Sequence, residues 1–376
     1  MNVGERLRLA IANPRFQVVM LVWAMALVTM LAFPFPQGFG IDLLFYRSAL
    51  DAMLAGQSAD MVVNPFATAA SEWHLTPFFP PPIAALFGGS LMGLPGSIAA
   101  ALAANVVVVG VAFVLMRRVT PPIPAVAWPG GRRARLTIAL LGWFAFLPTI
   151  HGLWFGNVQT LALLGVALFA VGTLGRRPWQ AGLGLAIATL FKLAPALFAL
   201  PMAVGGRRRE LAWALVFGLA GVLLTVFVVG LTPWFDFVRS LVERTGQVAE
   251  QRYNISPLGG TFPQVSPVAW VALAGAVMAM TGRLEARRML AASIAILLLG
   301  WPIEWPHYAV IALVAFALLL PDSRTHLALG LAYVLLSAPW REAWAIGLIL
   351  LLVAAVRPGW LAFGRGRATP AGRRPS

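Results

Sequence analysis

The chain has 376 residues, 60% hydrophobic and only 11% charged, with a mean hydropathy of +0.83. That composition lies outside the soluble globular range and belongs to an integral membrane protein. A net charge of +15 does not signal nucleic-acid binding here, because the arginines form short clusters between apolar runs; the absence of cysteine excludes disulfides, thiolate metal sites and cysteine nucleophiles.

The first apolar run, Phe16 to Phe33, follows Arg6, Arg8 and Arg15. It is too long for a cleaved signal and Phe-Pro-Phe-Pro follows it, so it is expected to be an uncleaved span. Arginine clusters recur at 6–15, 117–135, 176–177, 207–209, 283–288 and 357–374. The positive-inside rule puts all six on the cytoplasmic side. Spans are then expected near 16–33, 97–116, 136–150, 157–174, 180–191, 193–204, 210–231, 266–280, 289–303, 308–320, 327–339 and 343–356. The expected fold is an all-α polytopic membrane protein with about twelve transmembrane helices, a single domain over residues 1–376 and a basic cytoplasmic tail from about 357 to 376.

The run from Pro81 to Gly93 is left over and reads as a short helix in the outer interface. Several spans are shorter than the roughly 17–25 residues that cross a bilayer straight, so they must be broken, tilted or sheltered by neighbours. The clearest break is at Lys192 and Pro195. Lys192 is the only lysine among 28 basic residues, and an ammonium in an apolar run calls for an anionic partner or a polar cavity.

This threading turns nine of the thirteen acidic residues outward: Asp42, Asp51, Asp60, Glu72, Asp236, Glu243, Glu250, Glu304 and Glu342. The two long hydrophilic connections, about 34–80 and 232–265, are also external. In the first of them Leu43, Tyr46, Leu50, Met53 and Leu54 recur at helical spacing, which predicts an amphipathic helix on the membrane surface with Asp42 in its first turn. A carboxylate there complements a helix N-terminus or serves as a catalyst, and both readings stand. His151-Gly-Leu-Trp-Phe-Gly-Asn-Val-Gln159, Arg252-Tyr-Asn-Ile-Ser256 and Trp301-Pro-Ile-Glu-Trp-Pro-His-Tyr308 bring polar groups to the same side. Trp and Tyr there fit an interfacial belt and Asn157 fits a helix cap, whereas Glu304 and His307 are ionisable groups of the kind found at working sites.

What is missing narrows the chemistry. There is no Asp-x-Asp for a metal-bound nucleotide sugar, no phosphate loop, no paired histidines for zinc and no Gly-x-Ser-x-Gly elbow. No internal duplication of the transporter kind is evident.

Asp42-x3-Tyr46 with Ala49 and Gly56, then Phe79-Pro-Pro-Pro82 leading to Leu94-Pro95, then Gly156-Asn157, Lys192 with Pro195, Asn254-x-Ser256 and Trp305-x-His307-Tyr308, follow one another in an order and spacing that together resemble a known family. It is glycosyltransferase family 87, the polyprenol-phosphate-mannose-dependent mannosyltransferases, membrane enzymes of the GT-C class and formerly a domain of unknown function. The resemblance covers about residues 40 to 320. It implies a GT-C-type bundle and transfer of a hexose, mannose first among the candidates, from a lipid-phosphate carrier to an extracytoplasmic acceptor, with inversion at the anomeric carbon. It also implies that Asp42 is the general base. Departures are Gln57-Ser-Ala-Asp60 after Gly56 and Gly156-Asn-Val-Gln159 where Gly-Gln-x-Asn is usual.

The residues fit that implication: a polyprenyl tail lies in the bilayer while its phosphate-sugar head enters a polar interfacial site, which needs broken helices and amphipathic segments together. Lys192, Arg252 and His307 are the candidates for the donor phosphate, and Tyr46, Asn157, Asn254, Glu304 and Tyr308 for orienting the substrates. No cofactor or metal is expected; the lesser alternative is a divalent ion shared by Asp42 and Glu304. Expected partners are a polyprenyl-phosphate-linked sugar, a glycolipid or polysaccharide acceptor, and membrane lipid. The arginine- and alanine-rich composition fits a high-GC bacterium, and the expected location is the bacterial plasma membrane, with a multi-pass chain and an extracytoplasmic site. The competing reading is a flippase or transporter of a lipid-linked sugar, which would need polar residues through the whole membrane depth.

Overall fold

The computed structural model describes residues 40–57, 61–63, 75–77, 81–92, 97–120, 131–249, 254–262, 264–322, 324–338 and 340–357. The expected first span at 16–33, the loop charges Asp60, Glu72 and Glu250, Arg252 and most of the basic tail lie outside these residues. The described part is helical apart from one short antiparallel ladder, β1 (Met61–Val63) with β2 (Leu75–Pro77), in which Val62 faces Thr76.

The first described helix is α1 (Ile41–Leu54), which the spacing of its apolar residues predicts; of that stripe Leu43, Tyr46, Leu50 and Met53 are buried, together with Ala49, while Leu54 is exposed. The run left over between Pro81 and Gly93 is also a helix, α2 (Pro82–Leu91), which starts with Pro82 where a missing N–H costs nothing. These two helices touch at Gly88 and Gly89. A Cβ on Gly88 would sit 2.7 Å from the Tyr46 ring, and one on Gly89 2.7 Å from the Tyr46 carbonyl, so only glycine admits the approach.

Then come α3 (Ser97–Val119), α4 (Gly131–Phe144) and α5 (Leu147–Phe155). The single span expected at 136–150 is therefore two helices. Pro148 lies in the first turn of α5 and has no N–H to donate to the Phe144 carbonyl, and the Thr149 hydroxyl donates to the Trp143 carbonyl at the end of α4 at 3.1 Å.

The centre of the fold is the antiparallel pair α6 (Gln159–Leu174) and α7 (Pro178–Phe191), with α9 (Arg208–Val229) on the outer face of α7. A Cβ on Gly165 would meet the Ala188 nitrogen at 2.5 Å, and Gly172 and Gly184 are equally closed against the opposite backbone. Glycine at these three positions lets the backbones touch, and the hairpin brings the start of α6 beside the end of α7. Lys192 then breaks the helix in extended conformation (φ −148°, ψ 120°), and the chain continues through a 3-10 turn (Ala194–Phe198) into the short α8 (Ala199–Val204).

The connection expected at 232–265 is mostly a helix, α10 (Thr232–Ala249). Its charges hid this, because Asp236 and Arg239 pair at i,i+3 on the exposed face while Phe237 and Ser240 are buried beneath. After it come α11 (Pro267–Thr281), α12 (Ala286–Gly300), a 3-10 turn (Pro306–Ile311) running into α13 (Ala312–Leu319), α14 (His326–Leu336) and α15 (Arg341–Val356). One apolar core joins α3, α6, α7 and α12 to α15.

Two described helices are long and apolar enough to cross a membrane, Ile98–Val119 and Arg208–Val229, at 22 residues each. That length spans about 33 Å, against a hydrocarbon core of about 30 Å. Leu215, Leu219, Leu223 and Phe227 stay exposed along α9, as a lipid-facing surface requires. The other apolar helices of the described residues have 10–17 residues.

Candidate active site

Four chain segments meet where α6 begins and α7 ends. The first is the start of α1. Gly40 takes a left-handed turn (φ 72°) and donates its N–H to the Trp154 carbonyl at 2.8 Å, which ties α1 to the end of α5. Asp42 is thereby delivered to Asn157, whose Nδ2 donates to Asp42 Oδ2 at 2.6 Å. The carboxylate makes no capping bond to its own helix, since the N-cap is Gly40 and carries no side-chain cap. Its partner is the Asn157 side chain, 115 residues away in sequence.

Asn157 does two things at once. Its Oδ1 accepts from the Gln159 N–H at 2.8 Å, which shapes the turn into α6, and this fixes the amide so that Nδ2 points at Asp42. Gly156, at φ 70°, makes the turn possible; a Cβ there would also lie 2.5 Å from Leu43. Tyr46, one helical turn past Asp42, is buried and hydrogen-bonds the Val158 backbone.

The second pair is cationic. Lys192 Nζ donates to Tyr308 Oη at 3.0 Å and stands 4.2 Å from the centroid of the same ring. Lys192 is half-buried at the break after α7, and Phe191 beside it packs edge-on against Phe87 of α2 at 5.6 Å. Tyr308 is held in turn by Gln159, whose Nε2 reaches the Tyr308 carbonyl at 3.4 Å. His307 is 6% exposed; its ring lies 5.0 Å from Tyr308 and 6.4 Å from Phe155, and Phe155 touches His151 at 5.9 Å. Neither ring nitrogen of His307 has a hydrogen-bond partner among the described residues, and the same holds for Gln159 Oε1. Buried polar atoms left open in this way are unusual, and each calls for a physical explanation.

Electrostatics follows from the packing. Burial pushes the Asp42 carboxyl up to about 6, while the Asn157 hydrogen bond and the Lys192 charge pull it down. The carboxyl is thus ionised at neutral pH yet basic enough to accept a proton. Burial raises the Tyr46 phenol further above its ordinary value, with the Asp42 charge adding to the effect, so Tyr46 stays a neutral hydrogen-bonding group.

The remaining sequence candidates separate. Glu304 is 1% exposed, and burial alone raises its carboxyl well above the usual range. Asn254 is fully buried, with Nδ2 donating to the Pro302 carbonyl at 2.9 Å and Oδ1 accepting from Ser256 N and Glu304 N. What it orients in this structure is the loop that carries Glu304. Among the described residues no group of three or more His, Cys, Asp or Glu could hold a metal ion. Gln159 and Arg341 take part in the network although the sequence singles out neither as a site residue. The only signal for Gln159 is its place in Gly156-Asn-Val-Gln159, and Arg341 carries none.

Long apolar helices and broken shorter ones, with a carboxylate and an ammonium gathered near the breaks, are consistent with a membrane protein. The chain matches the family model of glycosyltransferase family 87 over residues 78–302, more than half of its length, and it belongs to that family. It is therefore a glycosyltransferase, acting on a sugar donor and an acceptor. The matched stretch is narrower than the resemblance drawn from the motifs: it contains Asn157, Lys192 and Asn254, and leaves out Asp42, Tyr46, Glu304, His307 and Tyr308. No curated protein and no solved structure matches the chain.

Proposed function

We propose that this glycosyltransferase moves a hexose, mannose first among the candidates, from a polyprenyl-phosphate carrier to a glycolipid or polysaccharide acceptor on the extracytoplasmic face of a multi-pass GT-C-type bundle. One observation carries the reading. A carboxylate poised near neutrality and a lysine ammonium lie within electrostatic reach of each other, each fixed by a side chain more than a hundred residues away.

In the mechanism, Asp42 takes the proton of the acceptor hydroxyl while that oxygen forms a bond to the anomeric carbon. The bond from that carbon to the phosphate oxygen breaks, and polyprenyl phosphate leaves with the electron pair. The proton stays on Asp42, and attack opposite to departure inverts the centre. General-base assistance of this kind contributes about 10²–10⁴-fold. Lys192 stabilises the charge growing on the leaving phosphate, in the manner of a preorganised electrostatic group. His307, and Arg252 from the external connection at 232–265, supply further donors to that phosphate. Tyr308 sets the ammonium, while Asn157 and Tyr46 set the carboxylate and the wall beside it. Glu304 meets a sugar hydroxyl, and Asn254 holds the loop that carries it.

The test is transfer of radiolabelled mannose from polyprenyl-phosphate-mannose to a lipid extract by purified protein in detergent. Product formation supports the reading. A preparation that moves the lipid-linked sugar across vesicles without transferring it points to a transporter and overturns the enzyme mechanism.

A further inference from the structure

Arg341 opens α15, beyond the stretch that matches the family, and it reaches back across 87 residues to the segment preceding α11. Its Nη1 donates to the Gly260 carbonyl at 2.5 Å and its Nη2 to the Asn254 carbonyl at 2.9 Å. The two bonds need the guanidinium to lie flat on the chain at Gly260, where an added Cβ would be 2.8 Å from the guanidinium carbon. A planar fork spanning two carbonyls is a task that arginine performs and lysine performs only in part.

The clamped segment holds a second loop. Ile255 N donates to the Glu304 carbonyl at 2.8 Å, Glu304 N donates to Asn254 Oδ1 at 2.9 Å, and Asn254 Nδ2 donates to the Pro302 carbonyl at 2.9 Å. Ser256 Oγ donates to the Trp301 carbonyl at 2.5 Å and accepts from Gly259 N at 3.1 Å. Both backbone polar groups of Glu304 are thus fixed by the segment that Arg341 holds. The side chain differs: it is 1% exposed, and Oε2 has no hydrogen-bond partner among the described residues. A rigidly anchored residue with an open buried acceptor or donor is arranged for a ligand group.

We propose that Arg341 is a positioning residue for glycosyl transfer: it fixes Asn254, and through it the backbone of Glu304, so that the open carboxyl oxygen of Glu304 meets a saccharide hydroxyl. The saccharide part rests on the lipid-linked donor reading above; the mechanical part does not.

The experiment uses the full chain purified in detergent, with Arg341→Gln, Arg341→Lys, Gly260→Ala, Glu304→Gln and the double variant Arg341→Gln/Glu304→Gln. Without substrate, the labelling rate of Glu304 by a hydrophobic carbodiimide is read by mass spectrometry of its peptide. Arg341→Gln and Gly260→Ala should change it at least about threefold, and Arg341→Lys less; an unchanged rate overturns the proposal. With polyprenyl-phosphate-mannose, Arg341→Gln should lower kcat/KM about tenfold, with part of the loss recovered in Arg341→Lys. In the Glu304→Gln background it should change kcat/KM by less than about twofold, because the two act through one contact. Losses that multiply overturn the proposal. A rise in the donor KM assigns the hydroxyl to the transferred sugar, and a rise in the acceptor KM assigns it to the acceptor. Should the wild-type chain use no lipid-phosphate sugar, the donor reading fails while the labelling still decides whether Arg341 holds Glu304. Arg341→Lys keeps the charge and one bond, which preserves a folded sample for the comparison if the other variants aggregate.

Discussion

Asp42 is costly to keep ionised where it sits. Its folded carboxyl titrates near 6 against an ordinary 3.8, so neutral Asp42 favours folding. That contribution is complete below about 3.8 and is lost as pH rises through about 6. Asp42→Asn, which keeps the acceptor for Asn157 and removes the charge, should therefore melt no lower than wild type at pH 8, and the gap should narrow toward pH 4 in a thermal scan. The same variant should lose transfer by about 10²–10⁴-fold. Near wild-type turnover would remove Asp42 as the base. Because the base works unprotonated, kcat/KM for the wild type should fall tenfold per pH unit below about 6 and level off above it, as a pH profile in a mixed buffer would read. Lys192→Ala removes both its hydrogen bond to Tyr308 and its charge, and should reduce kcat by about 10²–10³-fold, as loss of an electrostatic stabiliser does. Unchanged donor kinetics would leave Lys192 with a packing role, where a cation over a ring contributes about 0.5–2 kcal/mol.

Helix contact at glycine is what turns two distant motifs into one site. Asn157 and Lys192 flank opposite ends of the α6 and α7 hairpin in sequence, and they come together because Gly165, Gly172 and Gly184 let the two backbones touch. Gly184→Val would drive a branched side chain into the α6 backbone, where overpacking costs about 1–3 kcal/mol. The expected outcome is a lower melting temperature together with a loss of activity larger than the unfolded fraction accounts for. Full activity at reduced stability would show that the spacing of this hairpin does not set the site. Local patterning made α1, α2 and the break at Lys192 legible in the sequence, since each depends on the residues within a few positions. The break between α4 and α5 also had a local cause, Pro148, but the apolar run around it conceals the boundary. The helix α10 was hidden because its charged residues pair along one face, so the segment reads as a hydrophilic connection. The partners within the site were another matter. Asp42 with Asn157 and Lys192 with Tyr308 are joined across 115 and 116 residues, and no periodicity carries that information. Tertiary contacts also decided that the Asn254 amide goes to the backbone of 302–304, and that Arg341 closes over Gly260.

Orientation in the bilayer ties these pieces to a donor that cells present on one side. Arg117 and Arg118 lie in the last turn of α3, and Arg208 and Arg209 in the first turn of α9; in the proposed topology the positive-inside rule sends these two ends to the cytoplasm. The opposite end of α3 starts beside Gly40, whose open face meets Ile98, so the proposed topology puts α1 with Asp42 and Asp51 at the outer surface. The natural chain has no cysteine, so single substitutions report location without background. Asp51 is a suitable site: its side chain is 53% exposed and its pair with Arg47 is a surface ion pair, worth about 1 kcal/mol at most. In intact cells, Asp51→Cys and Trp340→Cys should react with a membrane-impermeant maleimide, while Arg208→Cys should react only after the membrane is opened. The reverse pattern would put α1 and the Asp42 carboxylate on the cytoplasmic side, where a nucleotide-activated sugar is available, and the case for a lipid-phosphate donor would then fail even with every contact in the site intact.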